Sequence, residues 1–284
     1  MHLFVDNLTN VDFSYLHPSR GVVGETWLAS IVLEGALDDQ GMVCDFGVVK
    51  KTVRDWLDAT IDHSLVVPKE SDSLVNEQSD QDNISIQWQY SGKQLDCSSP
   101  AQAITLIDHK EVNEHTVAEW CIEQLRQLLP ESIGRIQLRF APEPIEHHLY
   151  HYSHGLKKHR GNCQRIAHGH RSTIEVMVNQ QRDHQLEANW CQLWEDIYIG
   201  TKEDLLKEET IKGIEYYQFA YQSEQGEFTL KLAKEDCYLI DTDTTVELIA
   251  QHITTQIAAK HPGKHVKIKA FEGIGKGAIA FEGN

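Results

Sequence analysis

The chain has 284 residues, of which 40% are hydrophobic and 8% aromatic, and a formal net charge of −17. That length suits two domains of ordinary size, and the charge argues against a nucleic-acid surface or an anionic membrane as partner. No apolar run nears the roughly 20 residues of a membrane span, while six scattered cysteines without a CxxC pair, and no basic-then-apolar leader, point to free thiols in the cytoplasm.

In chain order, Leu3–Val5 and Val11–Tyr15 read as an extended pair, and Glu25–Leu33 as a strand bounded by Gly24 and Gly35. Asp45 caps a helix that the stripe Phe46, Val49, Val53, Trp56 and Leu57 carries to about Thr60. The polar, acidic stretch from Lys69 to about Asn83 reads as an exposed insertion. Strands Ile84–Tyr90 and Ala103–Ile107 lead to a helix from Glu114 to about Leu129 and a strand Ile136–Phe140. Ala141-Pro-Glu-Pro144 then interrupts regular structure. The order repeats afterwards: strands near His148–Ser153 and 172–178, a helix around Trp190–Tyr198, and strands Tyr216–Tyr221 and Phe228–Leu232. A helix from Thr245 to about Ala259, a strand His265–Lys269 and a last strand Ala278–Phe281 complete it. This pattern predicts a degenerate tandem duplication over 1–143 and 144–284.

One motif carries chemistry: Cys163-Gln-Arg-Ile-Ala-His168-Gly-His170. Histidines two apart on a strand point to the same side, and His154 supplies a third nitrogen upstream. Three histidines with one open coordination position match a catalytic zinc site. Seven of the sixteen histidines lie between His147 and His170, so the spacing alone equally fits a histidine-rich surface. Lys157, Lys158, Arg160, Arg165 and Arg171 surround the motif, as either a solvated basic face or a phosphate-binding rim.

Taken together these residues resemble the 6-pyruvoyltetrahydropterin synthase / 6-carboxytetrahydropterin synthase family of the tunnelling fold, in a tandem-duplicated form. The first repeat keeps Gly41-Met-Val-Cys-Asp-Phe46, Ile61-Asp62-His63 and, in the strand that should offer a first metal ligand, His17. It has Val23-Gly24-Glu25 where the family's His-Gly-His belongs. The second repeat keeps His154, Cys163, His168, His170 and a helix start at Thr245-Val-Glu247, while Ile199-Gly200 falls near the Asp-His position. The resemblance implies an α+β fold: two tandem tunnelling-fold repeats, each an antiparallel sheet with helices on one face, closing into barrels by homo-oligomerisation, as a trimer or alternatively a dimer.

It also implies one composite site. Zinc would sit on His154, His168 and His170; Cys163, Asp62 and His63 would be catalytic. Glu272 would hold the pterin, and Arg165, Arg171 and Lys157 would take the triphosphate. The implied reaction converts 7,8-dihydroneopterin triphosphate to 6-carboxy-5,6,7,8-tetrahydropterin with loss of triphosphate and acetaldehyde, in a queuosine-type pathway. A pyruvoyl product, or a noncatalytic zinc- or pterin-binding relative, is the alternative.

Overall fold

Alternating apolar and polar side chains over most of the chain dictate strands, and four stretches carry the 3.6-residue stripe of a helix. The computed structural model describes residues 1–283. Its first half comprises strands β1 (His2–His17) and β2 (Gly21–Gly35), helix α1 (Phe46–Thr60), and strands β3 (Leu65–Pro68), β4 (Leu74–Ser79), β5 (Asn83–Tyr90), β6 (Lys93–Pro100) and β7 (Ile104–Ile107). Helix α2 (Glu114–Leu125) and strand β8 (Ile133–Pro142) end it. The second half runs through β9 (Tyr150–His154), β10 (His168–Ser172), β11 (Ile174–Val178), β12 (Gln181–Arg182), α3 (His184–Leu193), β13 (Ile197–Thr201) and β14 (Leu205–Ile211). It closes with β15 (Ile214–Ser223), β16 (Gly226–Ala233), β17 (Cys237–Ile240), α4 (Val246–Lys260), β18 (Val266–Phe271) and β19 (Gly277–Glu282).

Helix starts follow their caps. The side chains of Asp45 and Thr245 accept from the backbone N–H of Val48 and Leu248, and Asn113 forms a capping box with Thr116. Three sequence expectations change. β1 is one strand with a bulge between Val5 and Thr9, not an extended pair. The Lys69–Asn83 stretch contains a paired strand, β4. The helix expected around Trp190–Tyr198 is α3, which ends earlier, because Asp196 takes the left-handed region at φ 55 and Tyr198 lies in β13.

The first repeat forms a sheet of order β7-β3-β1-β2-β8, with α1 and α2 on one face. The second forms β10-β9-β13-β17 and β12-β11-β18-β19, with α3 and α4 covering a shared core. Each repeat inserts three further strands, and these join edge to edge as one six-stranded sheet, β14-β15-β16-β6-β5-β4. The join is three antiparallel pairs: Thr229 with Ser98, Leu230 with Cys97, and Lys231 with Asp96. All four sheets are open-ended.

A second contact sets the two repeats face to face. A Cβ on Gly24 would lie 1.9 Å from the Tyr152 carbonyl oxygen, and one on Gly169 would lie 2.6 Å from the Gly24 Cα. Only glycine permits this backbone approach. Beside it the Ser14 and Ser153 hydroxyls are 2.7 Å apart. No helix among the described residues is long and apolar enough to cross a membrane.

Candidate active site

Strand register builds the site. His154 pairs with His168 and Tyr152 with His170 across β9 and β10, so three imidazoles line one face. All three are at most 1% exposed, and one ligand nitrogen from each lies within 4.8 Å of the others. His154 Nδ1 lies 3.0 Å from the Thr244 carbonyl, and His168 Nδ1 lies 2.9 Å from that of Arg165. A carbonyl only accepts, so each Nδ1 carries the proton and each Nε2 keeps its lone pair. His170 Nδ1 stands 3.2 Å from the Asp12 carboxylate, angled off a hydrogen bond.

Burial holds His154 and His168 well below the usual imidazole range, with the neighbouring histidines adding repulsion. Both are therefore neutral, as metal ligands must be. His154 Nε2 and both nitrogens of His170 are buried without a hydrogen-bond partner. Each such orphan costs about 1–3 kcal/mol. Three buried imidazoles backed by carbonyls and a carboxylate fit a divalent metal with an open position.

The first repeat delivers the second half of the site within the same chain. Asp62 accepts the Asp12 backbone N–H at 2.8 Å through one oxygen and lies 2.5 Å from His63 Nδ1 through the other. His63, at φ 54, swings its ring to 5.0 Å from that of His168. One atom each of His63, Cys163 and His168 fall within 4.8 Å of one another. Burial alone would depress His63, but hydrogen bonds to Asp62 and Cys163 outweigh it and push the imidazolium up to about 10. A carboxylate, an imidazolium and a thiol in line can hold and move a proton.

Glu272 follows β18, 3.9 Å from His170 Nε2, and its backbone N–H donates to the Lys276 carbonyl at 3.0 Å. Three cations of the expected phosphate rim are held by partners within the chain. Lys157 is paired with Asp204 at 2.5 Å and Glu203 at 3.1 Å. Arg165 is 3% exposed, 3.2 Å from Gln225 Oε1 and 3.4 Å from the carbonyls of both Asp62 and His63. Arg171 donates to the Glu143 carbonyl at 2.6 Å, on the strand face opposite His170. Closeness in sequence makes these cations look like one cluster; their carboxylate and carbonyl partners come from distant segments.

Three participants escape sequence reasoning: Asp12, Thr244 and Lys276, whose Nζ is 3.1 Å from Asp12. Asp12 has a legible signal, a carboxylate inside the apolar run Val11 to Leu16. It is 1% exposed; burial pushes its carboxyl up, but His170, Lys276 and the Thr26 hydroxyl together hold it well below the usual carboxylate range.

The first repeat repeats the geometry without the ligands. Ser14 pairs with Gly24 as Ser153 pairs with Gly169, so Tyr15, Val23 and Glu25 stand where the second repeat has His154, His168 and His170. Tyr15, not His17, thus holds the first ligand position. Ser14 also pairs with Leu65 as Ser153 pairs with Tyr198, which sets Glu195-Asp196, rather than Ile199-Gly200, opposite Asp62-His63. His63 and Asp196 share the left-handed backbone, at φ 54 and 55. In this cleft Arg20 grips Asp196 at 2.5 and 2.7 Å and donates to the Tyr15 hydroxyl at 3.2 Å. Tyr15, Val23 and Glu25 offer no nitrogen in place of those three.

Comparison with known proteins agrees with this duplication. The family model described as 6-pyruvoyl tetrahydropterin synthase matches twice, over residues 9–141 and 145–282. A Pyrococcus horikoshii protein, named only provisionally as a 6-carboxy-5,6,7,8-tetrahydropterin synthase, is 26% identical over 134 residues, 47% of this chain and 76% of that protein. The 6-pyruvoyl tetrahydropterin synthase of Plasmodium vivax superposes with a TM-score of 0.42 at 22% identity, covering 51% of this chain and 93% of that one. That of Plasmodium falciparum gives 0.40 at 19%, covering 50% and 90%. With two tandem matches spanning nearly its whole length, the chain belongs to the 6-pyruvoyl tetrahydropterin synthase family.

Proposed function

We propose that the chain is a zinc-dependent synthase that converts 7,8-dihydroneopterin triphosphate to 6-carboxy-5,6,7,8-tetrahydropterin, releasing triphosphate and acetaldehyde, in a queuosine-type pathway. The observation that supports it most is the meeting of the buried His154, His168 and His170 with the half-buried Asp62, His63 and Cys163 at one place, although neither repeat owns the whole set. The name of the Pyrococcus relative favours the carboxy product over the pyruvoyl one.

When bound, zinc held by His154, His168 and His170 would supply Lewis-acid polarisation of the substrate's side-chain hydroxyls. Cys163 Sγ, as the thiolate, takes the proton from the carbon beside the pterin ring. His63, oriented by Asp62, gives or takes the proton at a side-chain oxygen. Glu272 accepts the pterin's amino and ring N–H groups through both carboxylate oxygens. The open strands β8 and β19 support closure into barrels by homo-oligomerisation. The test is incubation of the zinc-loaded chain with dihydroneopterin triphosphate and identification of products by mass. Acetaldehyde and the carboxypterin are expected. A pyruvoyl product moves the chain to the sister activity, and unchanged substrate with bound zinc leaves a noncatalytic relative.

A further inference from the structure

The inserted strands β14–β16 reach the site through one hairpin tip. Residues 223–226, between β15 and β16, lie against the short 3-10 turn Asn162–Gln164 that carries Cys163. Resting on the reading in which Cys163 is the reacting thiol, we propose that this hairpin is a clamp setting Cys163 against His63, with Gln164 and Gln225 as its positioning residues.

Gln164 adjoins Cys163 and is 1% exposed. Its Oε1 accepts the Ser223 hydroxyl at 2.5 Å and the Gln225 backbone N–H at 2.7 Å, and its Nε2 donates to the Gly161 carbonyl at 3.0 Å. Its own carbonyl accepts the Tyr221 hydroxyl at 2.8 Å. Gln225 carries the connection onward. Its Oε1 accepts Arg165 Nε at 3.2 Å while its Nε2 donates to Asn162 Oδ1 at 2.9 Å. Arg165 then reaches the carbonyls of Asp62 and His63, and Asn162 Nδ2 reaches that of Asp58 at 3.3 Å. One polar chain thus ties hairpin, cysteine turn and the end of α1 together across both repeats.

A thiol on a single 3-10 turn has no strand ladder to fix it, whereas a network anchored on the buried, hydrogen-bonded Gln164 is stiff. Gly155 admits the clamp, since a Cβ there would lie 2.2 Å from the Tyr221 hydroxyl. The first repeat has the equivalent contact in reduced form. The tip of its own inserted hairpin, β5–β6, donates from the Ser91 hydroxyl to the Ser19 carbonyl at 2.9 Å, in a β1–β2 turn that holds no cysteine. The longer loop and its glutamines therefore accompany the thiol, while the hairpin contact is common to both halves.

The test compares Gln225→Ala and Gln225→Glu in the full zinc-loaded chain, the glutamate keeping an acceptor for Arg165. Four quantities are read: zinc per chain, the rate of Cys163 modification by iodoacetamide at one pH, and kcat and KM for the pterin triphosphate. The alanine variant should keep its zinc and a KM within about twofold, lose about 10- to 100-fold in kcat, and change its alkylation rate at least about threefold. The glutamate variant keeps the acceptor for Arg165 but loses the donor to Asn162 Oδ1, so both rates should fall between those of the alanine variant and wild type. Wild-type alkylation and kcat in Gln225→Ala overturn the proposal. So does loss of zinc together with kcat, because the hairpin would then be holding His168 through the Arg165 carbonyl instead of the thiol. If Gln225→Ala does not fold, Ser223→Ala is judged by the same readings. Alkylation needs no turnover, so a wild-type chain that leaves the pterin unchanged sinks the proposed reaction while the clamp is still decided on the thiol.

Discussion

The clearest quantitative expectation concerns Glu25, the residue standing where the second repeat has His170. Burial pushes its carboxyl up to about 7 from an ordinary 4.5, against the lowering effect of the Thr26 backbone N–H and Arg171. A carboxyl raised in the folded state gives stability that is complete below about pH 4.5 and lost as pH rises through about 7. At 1.36 kcal/mol per pH unit, ionising it costs the fold about 3 kcal/mol. A Glu25→Gln variant keeps an oxygen to accept the Thr26 N–H, now 2.9 Å from Oε1, but its amide has no carboxyl proton to lose. Denaturant unfolding of both chains from pH 4 to 8 should therefore give similar stabilities at the acid end, with the variant ahead by about 3 kcal/mol at the alkaline end. His151 Nδ1 lies 3.9 Å from the Glu25 carboxylate, but burial holds it down to about 4, so it is uncharged at the alkaline end, where the difference is read. Parallel curves across this range would refute the argument and place a charged Glu25 in the native protein.

Three further outcomes follow from the geometry. Gly169→Ala brings a Cβ to 2.3 Å from the Tyr152 carbonyl oxygen and 2.6 Å from the Gly24 Cα, backbone on both sides, and should lower stability by about 2–4 kcal/mol in thermal or denaturant unfolding; an undisturbed transition contradicts the close approach. Asp12→Ala should weaken zinc binding about 10- to 100-fold in a chelator competition while the chain stays folded, and an unchanged affinity removes Asp12 from the metal's support. Mixing His63→Ala chains with His168→Ala chains should recover no activity, because the two rings are 5.0 Å apart within one chain; recovered turnover would show sites assembled between chains.

What the sequence discloses and what it hides divide along physical lines. Short-range geometry is legible. His168 and His170 share a face because strands have period 2, and Asp45 and Thr245 cap because a side-chain oxygen satisfies an orphan N–H two or three residues on. The duplication is legible because each half carries the same order of patterns. Contacts decided by tertiary packing are not. Nothing local joins Asp12 to His170, or Lys157 to Asp204, so the first goes unseen and the second leaves a cation that looks free and is not. Counting residues from His17 places the first ligand position two residues too late, an error that only the β1–β2 register exposes. The helix around Trp190 reads as lying too far along the chain, because Trp194 and Tyr198 continue the apolar pattern through a backbone turn that sequence does not mark.

The three-pair join between β6 and β16 also has a bearing on how the protein is made. As the chain leaves the ribosome, β6 emerges with one side unpaired and stays so until synthesis has passed Thr229. Contacts so distant in sequence form slowly, and an unpaired edge invites the wrong strand. The nascent first repeat must therefore wait, exposed, for its companion. In return the two halves are delivered in equal number, so no orphaned Asp62-His63 half accumulates beside a shortage of its histidine-bearing counterpart.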